Sequence, residues 1–415
     1  LNYLKGRADD YIIDFFDCLL WPVKQYHPDV VGFSQLVLPQ REITAALAAH
    51  LRREDIPSVL GGASLWYNPE AYLSEVNGID YSRIFDAIFF GEGELSLREY
   101  VEGKPKENIC NIVFKKERII KNEGTTRVPL DDLPPPDFTD FSLESYYAPI
   151  VVLPLLTSRG CSWNRCTFCT HYKSYGEYRA RSIEKVVEDL KELQKRYKTS
   201  YFLLADEMIH PQRFHALSDS IMKEGLNIRF YSEAKPTNGF TRDLLQKIFC
   251  AGARVLLWGV ESGTQRVLDI IDKGTSVPHI ERVLKDSHEA GIWNMVFMIM
   301  RYPTQTEEEI EEDIQFLRRN APYISTVAGS PFKLEVGSRI YEFPQGFGIR
   351  TVKKSVNPFN PVCEYEGKEL SEQEDLLYKK YSVECLLLSR VSWYFGKMRD
   401  HMLLYADHLS KNPHQ

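Results

Sequence analysis

Ser182-Ile-Glu-Lys-Val-Val-Glu-Asp-Leu-Lys-Glu-Leu-Gln-Lys-Arg-Tyr197, followed after three residues by Tyr201-Phe-Leu-Leu-Ala205, is the stretch on which the fold turns. Ile183, Val186, Val187, Leu190 and Leu193 recur at helical spacing and line one face, while Glu and Lys cover the other. The short apolar run that follows reads as a buried strand. The same alternation extends both ways: a strand over 150–156, helices over 211–224, 241–251, 277–290 and 304–320, and strands over 227–231, 254–260, 292–300 and 326–334. Six strands with five helices between them predict an open, partial (β/α)6 barrel of the TIM type, spanning 150–340.

Upstream, Asp29-Val-Val-Gly-Phe-Ser-Gln35, Pro57-Ser-Val-Leu-Gly-Gly62 and Asp86-Ala-Ile-Phe-Phe-Gly-Glu-Gly-Glu94 are uninterrupted apolar runs ending in Ser or Gly, with helical patterns between them. They predict a second α/β sheet, Rossmann-like, over 1–128. Ligands bind such sheets at the carboxyl ends of the strands, here Ser34, Leu36, Gly61, Gly62, Gly91 and Glu92. Taken singly, each glycine is better read as the end of a strand. Asn111–Lys121 reads as a hairpin. No apolar strand precedes Tyr11 and the first residue is Leu1, so the sequence is expected to lack its natural beginning. Pro134-Pro-Pro136 marks a stiff connector over 129–149, and the tail, 341–415, reads as mostly helical, with Leu376, Leu377, Leu386, Leu387, Trp393 and Tyr394 packing across an open barrel end.

Composition narrows the function. The 415 residues carry 51 Lys and Arg against 58 Asp and Glu, a net charge of −7, which offers no general field for nucleic acid. No run of eighteen apolar residues and no secretory signal occurs, so no membrane span is expected and the location is read as cytoplasmic.

Three of the eight cysteines fall in one loop after the first barrel strand, Thr157-Ser-Arg-Gly-Cys161-Ser-Trp-Asn-Arg-Cys166-Thr-Phe-Cys169. A closed structural zinc site needs four ligands, and only His171, tightly spaced, could be the fourth. Three cysteines on a four-iron cluster instead leave one iron open. Cys18, Cys110, Cys250, Cys363 and Cys385 lack such spacing and read as packing residues. The histidines at 210, 215, 279 and 288 read as surface or packing residues. The acidic run 307–313 reads as a helix start, with a capping box between Thr306 and Glu309, and not as a metal site.

The cysteine loop resembles the signature of radical S-adenosylmethionine (SAM) enzymes, with four residues instead of three between Cys161 and Cys166. The resemblance implies a [4Fe-4S] cluster on Cys161, Cys166 and Cys169, with Phe168 against the adenine of SAM. It implies further SAM contacts at Asp206 and Glu207, at Ser232, Glu233 and Lys235, and at Gly259, Glu261 and Ser262, with Glu261 on the ribose. Arg301 and Lys235 are expected to act at the reaction centre, meeting an acidic group on the substrate. The Rossmann-like domain joined by a Leu-Pro-Pro-Pro-Asp connector resembles the cobalamin-dependent branch, which implies that the first domain binds cobalamin. Implied with it are methyl transfer to an unactivated carbon of a small-molecule, peptide or natural-product substrate, and an electron donor such as flavodoxin or ferredoxin. Rearrangement or oxidative cyclisation without methyl transfer stays open, as does a non-catalytic iron–sulfur or metal-binding protein.

Overall fold

A computed structural model describes residues 1–124, 127–388 and 398–412. Trp393 and Tyr394 lie outside the described residues. The chain divides into two compact units, Leu1–Pro129 with Lys173–Tyr175 and Lys353–Glu364, and Leu130–Tyr172 with Gly176–Val352 and Tyr365–Gln415. Among the described residues no helix is long and apolar enough to cross a membrane.

In the first unit, Val31–Ser34, Ser58–Gly61 and Ala87–Phe89 form three parallel strands, and the sheet continues through the antiparallel hairpin Ile112–Lys115 and Ile119–Asn122. A helix, Asp10–Tyr26, begins at Asp9, whose carboxylate accepts from the amide of Ile12, and its Phe16 packs against Tyr3 and Ala46. Lys353–Glu364 follows the barrel strands in the chain yet completes the first core. Phe359 is 3% exposed, with its ring 4.6 Å from Tyr72 and 5.3 Å from Tyr81, and Arg41 stacks on it at 4.4 Å.

In the second unit six parallel strands run in the order Thr326–Pro331, Trp293–Met300, Ala253–Glu261, Arg229–Ala234, Tyr201–Leu204 and Val152–Leu155. Successive side chains alternate between the sheet's two faces. Leu256 and Trp258 turn outward, where Trp258 meets Phe240 at 4.9 Å. Tyr231, Val255, Leu257 and Met295 turn the other way and are met by Met402, Leu403 and Ala406 of the helix Arg399–Lys411. The barrel's concave face is therefore filled by a C-terminal helix. Its Asp407 is 1% exposed and accepts hydrogen bonds from Tyr201 Oη (2.8 Å), Arg229 Nε (2.8 Å), Arg254 Nε (3.1 Å) and Lys411 Nζ (2.6 Å).

The outer helices start where their caps stand. Ser182 accepts from the amide of Lys185 to open Ile183–Tyr197, and Thr241 does the same for Arg242–Cys250. The capping box is formed, with Thr306 Oγ1 accepting from the Glu309 amide and Glu309 Oε2 from the Thr306 amide. Asp313, in the same acidic run, is no part of that cap: it is fully buried. One short helix, Gln265–Ile270, has no counterpart in the sequence reading.

Candidate functional site

The cysteine loop leaves the first barrel strand and is clamped at once. Asp206 accepts from the Thr157 amide (3.1 Å) and Oγ1 (2.9 Å) and from Ser158 Oγ. Arg213 donates to Thr157 Oγ1 (3.2 Å) and Thr157 O (2.8 Å). Asp206, expected to contact SAM, is thus 3% exposed and holds the loop through one backbone amide and two hydroxyls. Burial pushes its carboxyl up, against the pull of these donors.

The four-residue spacer is held on both sides. Trp163 Nε1 donates to Asp272 O at 2.7 Å, and Arg339 donates to Arg165 O (2.7 Å) and Asn164 O (3.0 Å). Asn164 takes a left-handed conformation, φ 48°, which lets the spacer of four turn back toward Cys166. Trp163 rests on Gly274, where φ is 66° and a Cβ would lie 2.0 Å from the indole. Gly274→Ala is therefore expected to lift Trp163 off its seat and lower iron incorporation several-fold, measured as iron per chain after anaerobic reconstitution, with far-UV circular dichroism unchanged.

None of the three cysteines is in a disulfide, and all are partly buried. Burial raises the Cys166 thiol and pushes Cys169 up to about 12, while the positive charge of Lys273 pulls both down. Lys273 is buried, with Nζ 2.8 Å from Glu261 Oε1. Lys235 is 7% exposed, sits over the Trp163 ring at 3.3 Å, and has no hydrogen-bond or ion-pair partner among the described residues. Burial, then the charge of Lys273, lowers it to about 8.

Phe168, Cys169, Glu261, Phe297 and Phe332 line one cavity of about 370 Å³. Lys235 lines another, of about 890 Å³, with Trp163, Met208, His210 and Thr241. The structure thus brings Phe168 and Glu261 together and puts Lys235 on the far side of the loop. Glu261 has φ 70° and ends its strand in a turn. Gly259 lies close beneath it: a Cβ there would lie 2.7 Å from Lys273 Nζ and 2.8 Å from Glu261 Oε1, so those two side-chain ends would have to shift. Glu207 is paired with His171, and Glu233 accepts from Arg399 Nη1 at 3.1 Å. Ser232 is buried with only the Glu233 carbonyl near its hydroxyl, at 3.4 Å, and Ser262 donates to Asp313 Oδ1 at 2.7 Å. Arg301, expected to reach the reaction centre, is drawn to the C-terminal helix Glu372–Leu387: its Nη2 lies 2.9 Å from Asp375 Oδ1 and its guanidinium 5.2 Å from the Tyr378 ring.

In the first unit Ser34 and Gly61 stand side by side in the parallel register. Gly62, φ 115°, is sterically required, because a Cβ would lie 2.5 Å from Gln35 O. Gln35, which the sequence placed at this strand end without a role, is fully buried and donates to Ser64 Oγ (2.8 Å) and Tyr72 Oη (2.7 Å), bracing that strand end. Leu36 is exposed, Gly91 faces open space, and Glu92 is half-buried. Lys273, Arg213 and Arg339 escaped the sequence reading, whereas Trp163 stood there only as part of the cysteine loop and Asp313 only as the end of an acidic helix start. The Asp272-Lys273-Gly274 turn was the only local signal among them.

Residues 155–317 match the Radical SAM superfamily. The chain is 27% identical over 355 residues to an uncharacterized methyltransferase of Pyrococcus horikoshii, covering 83% of this chain and 74% of that protein. It is 28% identical over 343 residues to an anaerobic magnesium-protoporphyrin IX monomethyl ester cyclase of Rubrivivax gelatinosus, covering 76% of this chain and 60% of the relative. The structure of the cobalamin-dependent SAM radical enzyme OxsB, with aqua-cobalamin and SAM bound, superposes with a TM-score of 0.72 at 18% identity, over 88% of this chain and 59% of that one. That likeness is one of fold. With three cysteines in the loop above six parallel strands and the superfamily match running through those strands, residues 155–317 are a radical SAM domain, and the chain has the fold seen in the cobalamin-dependent SAM radical enzyme OxsB.

Proposed function

We propose that this enzyme is a cobalamin-dependent radical SAM methyltransferase, acting on an unactivated carbon of a small-molecule or peptide substrate in the cytoplasm, with flavodoxin or ferredoxin as electron donor. The observation that carries the reading is the donor set of the loop: three thiols and two buried lysines beside them, of which Lys273 is paired with Glu261 and Lys235 has no anion of its own among the described residues. A thiolate-ligated cluster is anionic, so the charge of Lys235 and Lys273 suits it and favours loss of the thiol protons on assembly. When bound, the cluster supplies the electron that cleaves SAM to a 5′-deoxyadenosyl radical, and cobalamin supplies the methyl group.

The chain's part is to bind, orient and exclude water. Cys161, Cys166 and Cys169 hold the cluster. Phe168 takes the adenine and Glu261 the ribose hydroxyls, since both line one cavity. Glu207 and Glu233, paired with His171 and Arg399, face the amino end, and Lys235, which lines the other cavity, is left for an acidic group of the substrate. In the first unit Ser34, Leu36, Gly61, Gly62, Gly91 and Glu92 hold the corrinoid, where small strand-end residues permit close approach of a flat ligand.

The test is mass spectrometry of nucleosides from anaerobically reconstituted protein given SAM, a strong reductant and cobalamin. Both 5′-deoxyadenosine and S-adenosylhomocysteine, the latter only with cobalamin, are expected. 5′-Deoxyadenosine alone favours oxidative cyclisation or rearrangement, a reading supported by the similarity to a relative named as a cyclase. Neither product would return the cysteines to a structural metal.

A further inference from the structure

The turn after the fourth barrel strand is strained and tightly enclosed. Glu261 is left-handed, the Ser262 amide reaches back to Val260 O at 3.0 Å, and a Cβ on Gly263 would lie 2.3 Å from Phe316 Cβ. The helix Glu307–Asn320 therefore presses directly on this turn, and the side chain it offers there is Asp313. Oδ1 accepts from Ser262 Oγ (2.7 Å), from the Gly263 amide (2.6 Å) and from Thr264 Oγ1 (3.4 Å), and Oδ2 accepts from Gln305 Nε2 (2.6 Å). Gln305 Oε1 in turn accepts from Tyr378 Oη at 3.0 Å, on the C-terminal helix Glu372–Leu387.

No cation is among these partners. A carboxylate buried with neutral donors alone carries a desolvation cost that packing by an aliphatic residue would avoid. Burial lifts Asp313 to about 6, with the four hydrogen bonds acting against it. The donors and acceptors along Tyr378, Gln305, Asp313 and Ser262 form one consistent series, which specifies a single orientation of the turn.

We infer that Asp313 is a positioning residue for SAM: it holds the 261–264 turn in the shape that presents Glu261, and through Gln305 and Tyr378 it ties that shape to the C-terminal helix. The inference rests on the reading that Glu261 meets the cofactor.

The test measures the SAM dissociation constant by equilibrium dialysis on the full, cluster-reconstituted chain, with melting temperature and iron–sulfur absorbance recorded alongside. Asp313→Ala leaves the Ser262 and Gly263 donors unpaired and is expected to weaken SAM binding by about tenfold or more, with the absorbance intact. Asp313→Asn restores most of the affinity, to within about threefold, because the amides of residues 313 and 305 can both turn, with Tyr378 then accepting. Tyr378→Phe, which disturbs only the far end and folds in any case, is expected to weaken binding about two- to threefold. Leu190→Ala, on the outer helix Ile183–Tyr197, serves as a stability control that lowers the melting temperature and leaves SAM affinity unchanged. Glu261→Gln separates the two failures. If it binds SAM like the wild type, the assignment of the turn to the cofactor falls and this inference with it. If it weakens binding while Asp313→Ala, or Tyr378→Phe where the former does not fold, binds like the wild type, the positioning role alone is overturned.

Discussion

Cys169→Ala, Cys166→Ala and Cys161→Ala each leave a folded protein that holds no four-iron cluster and releases no 5′-deoxyadenosine above background. Losing an outer partner of a metal site typically costs about 10–100-fold, so losing one of only three ligands is expected to cost at least about a thousandfold in SAM cleavage. The fold should survive because the loop does not depend on metal for its shape. Asp206 and Arg213 hold its start, Asp272 O and Gly274 hold Trp163, and Arg339 holds the carbonyls of Asn164 and Arg165. A structural metal site behaves in the opposite way, since metal binding there is folding free energy. Melting temperature measured with and without chelator distinguishes them: a shift of only a few degrees accompanies the cluster reading, and loss of the transition contradicts it. Cys110→Ala and Cys250→Ala are the matched controls, with full cluster and full cleavage expected.

Asp407→Ala is expected to destabilise the barrel unit by about 3–5 kcal/mol, the usual effect of removing one partner from a buried ionic cluster. Burial alone would raise this carboxyl, yet hydrogen bonds from Lys411, Tyr201 and Arg229 outweigh it and hold Asp407 at about 2. Its folded value lies below its unfolded value of about 3.9, so its contribution is complete above about pH 5 and disappears as pH falls through about 2. The wild type should therefore lose stability steeply between pH 4 and 2 in urea titrations, and the Asp407→Ala protein should lose less over the same interval. Equal acid sensitivity in the two proteins would remove Asp407 from the account. The helix it belongs to also places Arg399 beside Glu233 and Asp400 beside Tyr231, so a shift of this helix would be felt at the barrel mouth.

What could be read in the sequence is what is encoded locally. The helix of Ile183, Val186, Leu190 and Leu193, the cap at Ser182, the box of Thr306 and Glu309, and the run of three cysteines each depend on residues within one or two turns of one another. The six strands follow from short apolar runs between those helices. Side chains that act across the fold were misread or passed over. Asp206 stands at a strand end, where a carboxylate invites assignment to a ligand, but its partners Thr157 and Ser158 lie nearly fifty residues earlier. Arg301 was expected at the reaction centre on its position at a strand end, and its ion pair is with Asp375, 74 residues later on the C-terminal helix, which no local pattern announces. Asp313 looks like one more acid of a helix start until Ser262 and Gly263 are seen against it, and Phe359 carries no local sign that it packs beside Tyr72 and Tyr81.

By itself the sequence determined the fold class, the alternation of strands and helices, and the one loop able to hold a metal cluster, because hydrophobic period, capping and ligand spacing are properties of contiguous chain. Only the tertiary structure decided which partner each rim carboxylate takes, which buried lysine lacks one among the described residues, and that the helix Arg399–Lys411 packs on the barrel's inner face. The physical reason is that a buried charge takes its meaning from whatever the fold brings within hydrogen-bond distance, and in this protein partners such as Ser262 and Asp313 stand 51 residues apart and Tyr201 and Asp407 stand 206 apart.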